Sequence, residues 1–209
     1  MKGLLLKEWY ESIAYGKTVL GAALVMFAVS AILLHENSTP SFFLVYASFL
    51  LGIFPMTLLS YDENFGWTTY SYTLPVSKTQ LVSVKYLLTL LGALIGFLLS
   101  ALILSIFGGG LERSSVTLLL AESVIAPLIS NAFLLPMNYR FGPTKARYVY
   151  LAIIALFAGL LGGFFGDSAL GQPLPALSPI VLLGGLAVTL LLLILSWRIS
   201  IAWYGKSHL

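Results

Sequence analysis

Residues 81–107 read LVSVKYLLTLLGALIGFLLSALILSIF, and Lys85 is the only charge among them. A helix needs about 20 mostly apolar residues to cross a hydrocarbon core ~30 Å thick, and this run exceeds that. Ser77 stands just before the run with Gln80 three residues on, the pattern of a capping box, so the helix is expected to begin at residue 78. At ~1.5 Å per residue, a helix over residues 78–107 reaches roughly 45 Å. It must tilt, or project from the membrane over residues 78–85. Gly108, Gly109 and Gly110 end it on the far side.

Working outward from this helix, five more apolar runs of spanning length lie at residues 18–34, 41–60, 115–137, 148–166 and 177–199. The expected fold is therefore an all-α membrane protein with six transmembrane helices. The chain is 59% hydrophobic and 9% charged, with a mean hydropathy of +0.97. A soluble domain carries about 25% charged residues, so a soluble core is excluded. Spans and short connections use nearly all 209 residues, and one transmembrane domain over residues 1–209 is expected.

Charge sets the orientation. Lys2, Lys7, Lys17, Lys78, Lys85, Arg140, Lys145, Arg147, Arg198 and Lys206 fall in the two tails and the even-numbered connections, and only Arg113 falls opposite. The positive-inside rule then places both termini in the cytoplasm, in a multi-pass protein of the inner (cytoplasmic) membrane. The net charge of +3 is scattered along membrane borders. That distribution suits anionic lipid headgroups and argues against a nucleic-acid partner. With no cysteine, disulfide and thiolate chemistry are excluded. Lys7, Glu8, Glu11 and Lys17 interrupt the N-terminal apolar stretch, so a cleaved signal peptide is not expected.

Two segments outside the spans stand out. In residues 1–16, Leu6, Trp9, Tyr10 and Ile13 share one helical face while Lys7, Glu8 and Glu11 occupy another. This reads as an amphipathic helix lying in the membrane interface, with Gly16 and Lys17 turning the chain inward. Between the second and third spans, residues 61–77 are polar enough to leave the membrane yet carry Phe65, Trp67, Tyr70 and Tyr72 in a stretch long enough for two or three helical turns. Tryptophan and tyrosine anchor protein interfaces, although an interfacial helix resting on lipid fits the same aromatics. Pro75 ends any helix there.

Catalytic constellations are missing. The histidines, His35 and His208, lie at a span border and near the C-terminus, and neither a nucleophile elbow nor a helical zinc motif is present. The phosphate-binding Gly-rich loop is missing too, so if ATP drives this protein another polypeptide binds it. Glu122 lies inside the fourth span, where a carboxylate is expensive and functional by default. It reads equally as a substrate or proton contact and as a structural hydrogen bond. Asn131, deeper in that helix, is a candidate for the substrate pathway or for a bond between helices. Gly92 with Gly96, and Gly159 with Gly163, are small-xxx-small pairs that allow close helix approach, within the chain or at a dimer contact.

Tyr61-Asp62-Glu63, Gly66-Trp67, Tyr70, Leu74-Pro75-Val76-Ser77 and Lys85-Tyr86, in that order and spacing, resemble the loop between spans two and three of ABC-2 family permease subunits. More narrowly, they resemble the six-span permeases of exporters such as the phenol-soluble modulin peptide exporter. Met1 to Trp9 is similar to that family's amphipathic N-terminal helix.

The resemblance implies two permease copies and two separate ATPase subunits that bind ATP and Mg, with no cofactor in this chain. Residues 62–75 would be the coupling helix set into the ATPase, with Asp62, Glu63, Phe65, Gly66, Trp67, Tyr70, Leu74 and Pro75 as its contacts. Gly159 and Gly163 would lie at the dimer contact, and the amphipathic N-terminal helix would lie along membrane lipid. The expected function is ATP-driven export of an amphipathic substrate, toxin-like or antimicrobial-like peptides among them. The rival is an ion-coupled carrier with Glu122 as its proton site.

Overall fold

A computed structural model describes residues 2–35, 41–71, 73–142, 145–146, 148–149, 151–152 and 179–204. Most of the fifth expected span, with Gly159 and Gly163, lies outside the described residues, as do Arg147 and Lys206.

The described elements are α1 (Lys2–Tyr15), α2 (Lys17–His35), α3 (Ser41–Gly52), α4 (Phe54–Asn64), α5 (Trp67–Ser71), α6 (Lys78–Phe107), α7 (Arg113–Phe141) and α8 (Pro179–Tyr204). A 3-10 turn at Gly108–Gly110 closes α6. Among the described residues there is no strand, and five helical stretches are long and apolar enough to cross a membrane: Lys17–His35, Phe43–Asn64, Lys78–Gly110, Arg113–Phe141 and Ile180–Tyr204. The described elements are all helical, and the protein is multi-pass.

Local chemistry explains the boundaries. At the start of α6, Ser77 Oγ accepts from Gln80 N and the Gln80 side chain accepts from Ser77 N, each at 3.3 Å, completing the expected capping box. Gly16 ends α1, where a Cβ would lie 2.4 Å from the Phe54 ring. Only glycine lets the two elements approach there. The fourth span was expected to end near Pro136, but α7 continues through Pro127 and Pro136 to Phe141. Gly142, at φ +80°, stops it. Transmembrane helices tolerate proline because packed neighbours re-satisfy the freed carbonyls.

The second span is one crossing made of two helices. Pro55 has no N–H for Leu51 O, and Met56 N bonds Ile53 O instead of reaching Gly52 O. Asn131, fully buried on α7, fills the gap by donating Nδ2 to Gly52 O at 2.8 Å and also to Pro127 O at 2.8 Å. The neighbours of this break are small. A Cβ on Gly52 would lie 2.1 Å from Pro127 Cβ, and one on Gly92 would lie 2.4 Å from Leu51 O. Gly96 faces Ser48, whose hydroxyl lies 3.0 Å from Ser100 Oγ. The Gly92–Gly96 pair therefore packs α6 on α3 within the chain.

Two apolar cores result. Phe27, Leu34, Leu44, Leu51, Ile103 and Leu119 pack towards the Gly108 end. Leu59, Val82, Leu128, Leu135, Leu193 and Tyr204 pack at the end carrying α1. Leucines such as Leu98 and Leu191 point outwards, as suits a surface facing lipid tails.

Candidate functional site

Five charged side chains from three elements converge beneath α1. Lys7, Glu8 and Glu11 follow one another at positions i, i+1 and i+4, which brings them to neighbouring parts of the α1 surface. Asp62 lies in the last turn of α4 and Lys85 in the third turn of α6. Lys85 Nζ lies 2.7 Å from the Glu8 carboxylate and 2.7 Å from Asp62 Oδ2. Lys7 Nζ bonds Asp62, lies 2.7 Å from Glu11 Oε2 and 3.3 Å from Glu8 Oε1. Asp62, Glu8 and Lys85 are 3%, 4% and 5% exposed, so these are interior charges.

Electrostatics divides the cluster. Burial pulls the Lys7 ammonium down, but the Glu8 and Asp62 charges and the hydrogen bonds to Asp62 and Glu11 outweigh it and hold the group above its ordinary value. Glu11 goes up as well, through burial and the Asp62 charge, against the opposing pull of Lys7. Carboxylate oxygens of Glu8, Glu11 and Asp62 lie within 4.8 Å of one another, close enough to share a cation. The ammonium groups of Lys7 and Lys85 supply that positive charge. Two lysines against three carboxylates leave one negative charge in excess.

Aromatic contacts tie the next segment to the same place. Lys7 Nζ stands 4.6 Å from the centroid of the Trp67 ring, a cation–π contact that joins α1 to α5. Tyr15 stacks on Tyr61 at 4.8 Å and lies 5.4 Å from Phe65, joining the end of α1 to the end of α4. Gly66, at φ +68°, turns the chain between α4 and α5. Residues 62–75 are thus an elbow, and the helix within it is the five-residue α5, shorter than the two or three turns the aromatic pattern suggested. Asp62 to Asn64 belong to α4.

The sequence candidates divide by position. Of the elbow set, Asp62 is buried and Trp67 and Leu74 are half-buried, whereas Glu63, Phe65, Gly66, Tyr70 and Pro75 are exposed. Phe65 is 66% and Tyr70 56% exposed, high for aromatic side chains. On α1, Leu6, Trp9, Tyr10 and Ile13 all point outwards. The charged face of α1 turns into the protein and the apolar face away from it. Glu122 is half-buried on α7 and forms no ion pair with another described residue. Asn131 sits at the α3–α7 contact, far along α7 from the elbow.

Sequence reasoning took Lys7 and Lys85 as lipid-facing charges and passed over Glu8 and Glu11 as partners. The available signal was a lysine inside an apolar run following a span that ends in Asp62.

A model of the family described as "ABC-2 family transporter protein" matches residues 3–205. No curated protein and no solved structure matches the chain.

Proposed function

Because the chain belongs to the ABC-2 family of transporter proteins, we propose that it is the permease subunit of an ATP-driven exporter and that its α4–α5 elbow receives the ATPase. The family provides the membrane component of an ABC transporter and implies an ABC ATPase partner in general. In this reading two ATPase subunits bind ATP and Mg and dock on the cytoplasmic face of two permease copies. Both termini lie in the cytoplasm of a cell whose inner membrane holds the protein. The cargo is amphipathic, with exported peptides of the phenol-soluble modulin kind as the proposed class.

One observation carries this reading. The exposed aromatics Phe65 and Tyr70 sit on an elbow whose base is fixed by the buried Asp62, Lys85 and Glu8 charges and the half-buried Lys7. An exposed aromatic on a rigid mount is a good interface anchor, because little conformational freedom is lost on docking. The mount also gives force a route, since a push on α5 reaches α1 through Lys7 and Trp67 and reaches α6 through Asp62 and Lys85.

The test is coexpression with a candidate ABC ATPase subunit. Phe65→Ala with Tyr70→Ala should weaken the copurified complex by about 2 kcal/mol, roughly 30-fold, as for interface anchors. Undiminished copurification and coupled hydrolysis would refute docking at the elbow, as would protease cleavage of residues 63–77 from outside intact cells. Transport that collapses with the proton gradient while ATP is held constant would favour the ion-coupled reading, with the half-buried Glu122 as its site.

A further inference from the structure

The last span carries a polar stripe with two destinations. Ser196, Ser200 and Tyr204 recur every four residues along one face of α8, and they are 4%, 0% and 6% exposed within an otherwise leucine-rich helix. The two serines meet α6, with Tyr86 Oη 2.6 Å from Ser196 Oγ and 2.8 Å from Ser200 Oγ. Trp197 Nε1 donates to Ser83 Oγ on the same helix at 3.0 Å. Tyr204, one turn further, leaves α6 and reaches the elbow, where its hydroxyl lies 3.2 Å from Ser71 Oγ in the last turn of α5. Its ring meets Tyr139 edge-on, with centroids 5.6 Å apart and planes at 82°.

We propose that the Ser71–Tyr204 hydroxyl pair is the link by which movement of α5 is passed to the last span. This rests on the reading of α5 as the ATPase-coupling helix. Tyr204 is a positioning residue that touches no cargo. α5 is five residues long and is joined to α4 by the left-handed Gly66, and Lys7 holds its Trp67 end, so a load on α5 is carried as a unit to Ser71 at its far end. A cavity of about 30 Å³, room for a single water, lies among Trp67, Asp62 and Tyr204. The cavity is a gap in the packing between Trp67 and Tyr204, and beside it the buried Ser71–Tyr204 hydroxyl contact ties α5 to α8 directionally. The serine contacts behind Tyr204 would convert that pull into a tilt of α8 against α6.

The experiment uses the full permease with its copurified ATPase. The chain has no cysteine, so Thr73→Cys and Ala202→Cys each give one labelling position, on the exposed end of the elbow and on the exposed face of α8. An environment-sensitive fluorophore is attached at one or the other, and the probe is Mg-ATP with vanadate. In the parent complex both positions should respond. Tyr204→Phe keeps the ring and its contact with Tyr139 but removes the hydroxyl. It should leave the Thr73→Cys response intact and cut the Ala202→Cys response at least twofold. Ser71→Ala should do the same, with no further loss in the double variant, and Ser71→Thr should restore the response.

An unchanged Ala202→Cys response in Tyr204→Phe overturns the link. So does equal loss at both positions, which would make Tyr204 a folding or docking residue. Failure of the ATPase to copurify, or a silent Thr73→Cys label in the parent complex, instead overturns the coupling reading and takes the link with it.

Discussion

Lys85→Met should be among the most damaging single substitutions in the chain, and its size follows from the partners it abandons. Lys85 Nζ faces Glu8 and Asp62 at 2.7 Å each, in a pocket where all three side chains are nearly fully buried. At an effective dielectric of 20, unit charges that close attract by about 6 kcal/mol per pair. Desolvation costs several kcal/mol per ion, so the intact cluster is worth far less than the sum of its attractions. Removing one partner is another matter, because two carboxylates stay buried with only Lys7 to serve three. The excess negative charge rises from one to two. Breaking a buried pair in this way costs about 3–5 kcal/mol.

The companion variant separates charge from volume. Lys85→Met combined with Glu8→Gln returns the excess to one negative charge, and the amide can still bond its neighbours. It should recover most of the loss, leaving about 1–2 kcal/mol. The assay is reversible unfolding of the purified permease in mixed micelles, followed by tryptophan fluorescence because Trp67 stacks on Lys7. A single-variant cost under about 1 kcal/mol would mean that the charges are solvated. A double variant as unstable as the sum of the two single variants would also refute the compensation.

Asn131→Leu leaves Gly52 O without its donor and should cost about 1–2 kcal/mol in the same unfolding assay; unchanged stability with lost transport would instead assign Asn131 to the cargo pathway. Glu11 takes up a proton more readily when α1 is docked than when it is free, since its folded carboxyl is held above the usual 4.5. Docking should therefore strengthen as pH falls through the raised folded value towards 4.5, and Glu11→Gln should flatten that dependence. The Lys7 contribution runs the other way, complete below its ordinary 10.5 and lost as pH rises through the raised folded value. Melting temperature against pH for the parent and Glu11→Gln checks both signs.

The spans were legible because hydrophobicity along one helix is a local property. The runs at 18–34, 81–107 and 115–137 fall within helices α2, α6 and α7, α8 covers residues 179–199 of the last run, and the capping box at Ser77 was readable from two residues. The elbow was legible as a place but not as a shape. The stretch carrying Phe65, Trp67, Tyr70 and Tyr72 suggested two or three turns, whereas the positive φ of Gly66 and the turn before Pro75 leave α5 five residues. The break at Ile53 was missed because its cause lies on two helices: Pro55 opens the hydrogen-bond ladder, and Asn131, 78 positions after Ile53, fills the gap. The ion cluster was missed for the same reason. Lys7, Asp62 and Lys85 are far apart in the chain, and each alone reads as an ordinary charge at a membrane border.

That misreading bears on the orientation as well. The proposed topology counted ten basic residues on one side, and two of them, Lys7 and Lys85, are consumed by carboxylates and do not face headgroups. If orientation depended on net charge the argument would weaken, since Glu8, Glu11 and Asp62 lie on the same side. It depends instead on lysine and arginine met during insertion, before tertiary pairs exist, and acidic residues contribute little. Lys17, Lys78, Arg140, Lys145 and Arg198 remain exposed at that end of the bundle, against Arg113 at the other. In the proposed topology the two paired lysines add to the basic residues counted while the chain inserts, and they join α1 to the elbow once it has folded. Replacing Lys7 and Lys85 together with methionine should loosen α1 without inverting the chain, because the exposed basic residues still hold the orientation. Protease accessibility of the N-terminus from outside intact cells reads topology separately from stability, and exposure there would show that these two lysines set the orientation after all.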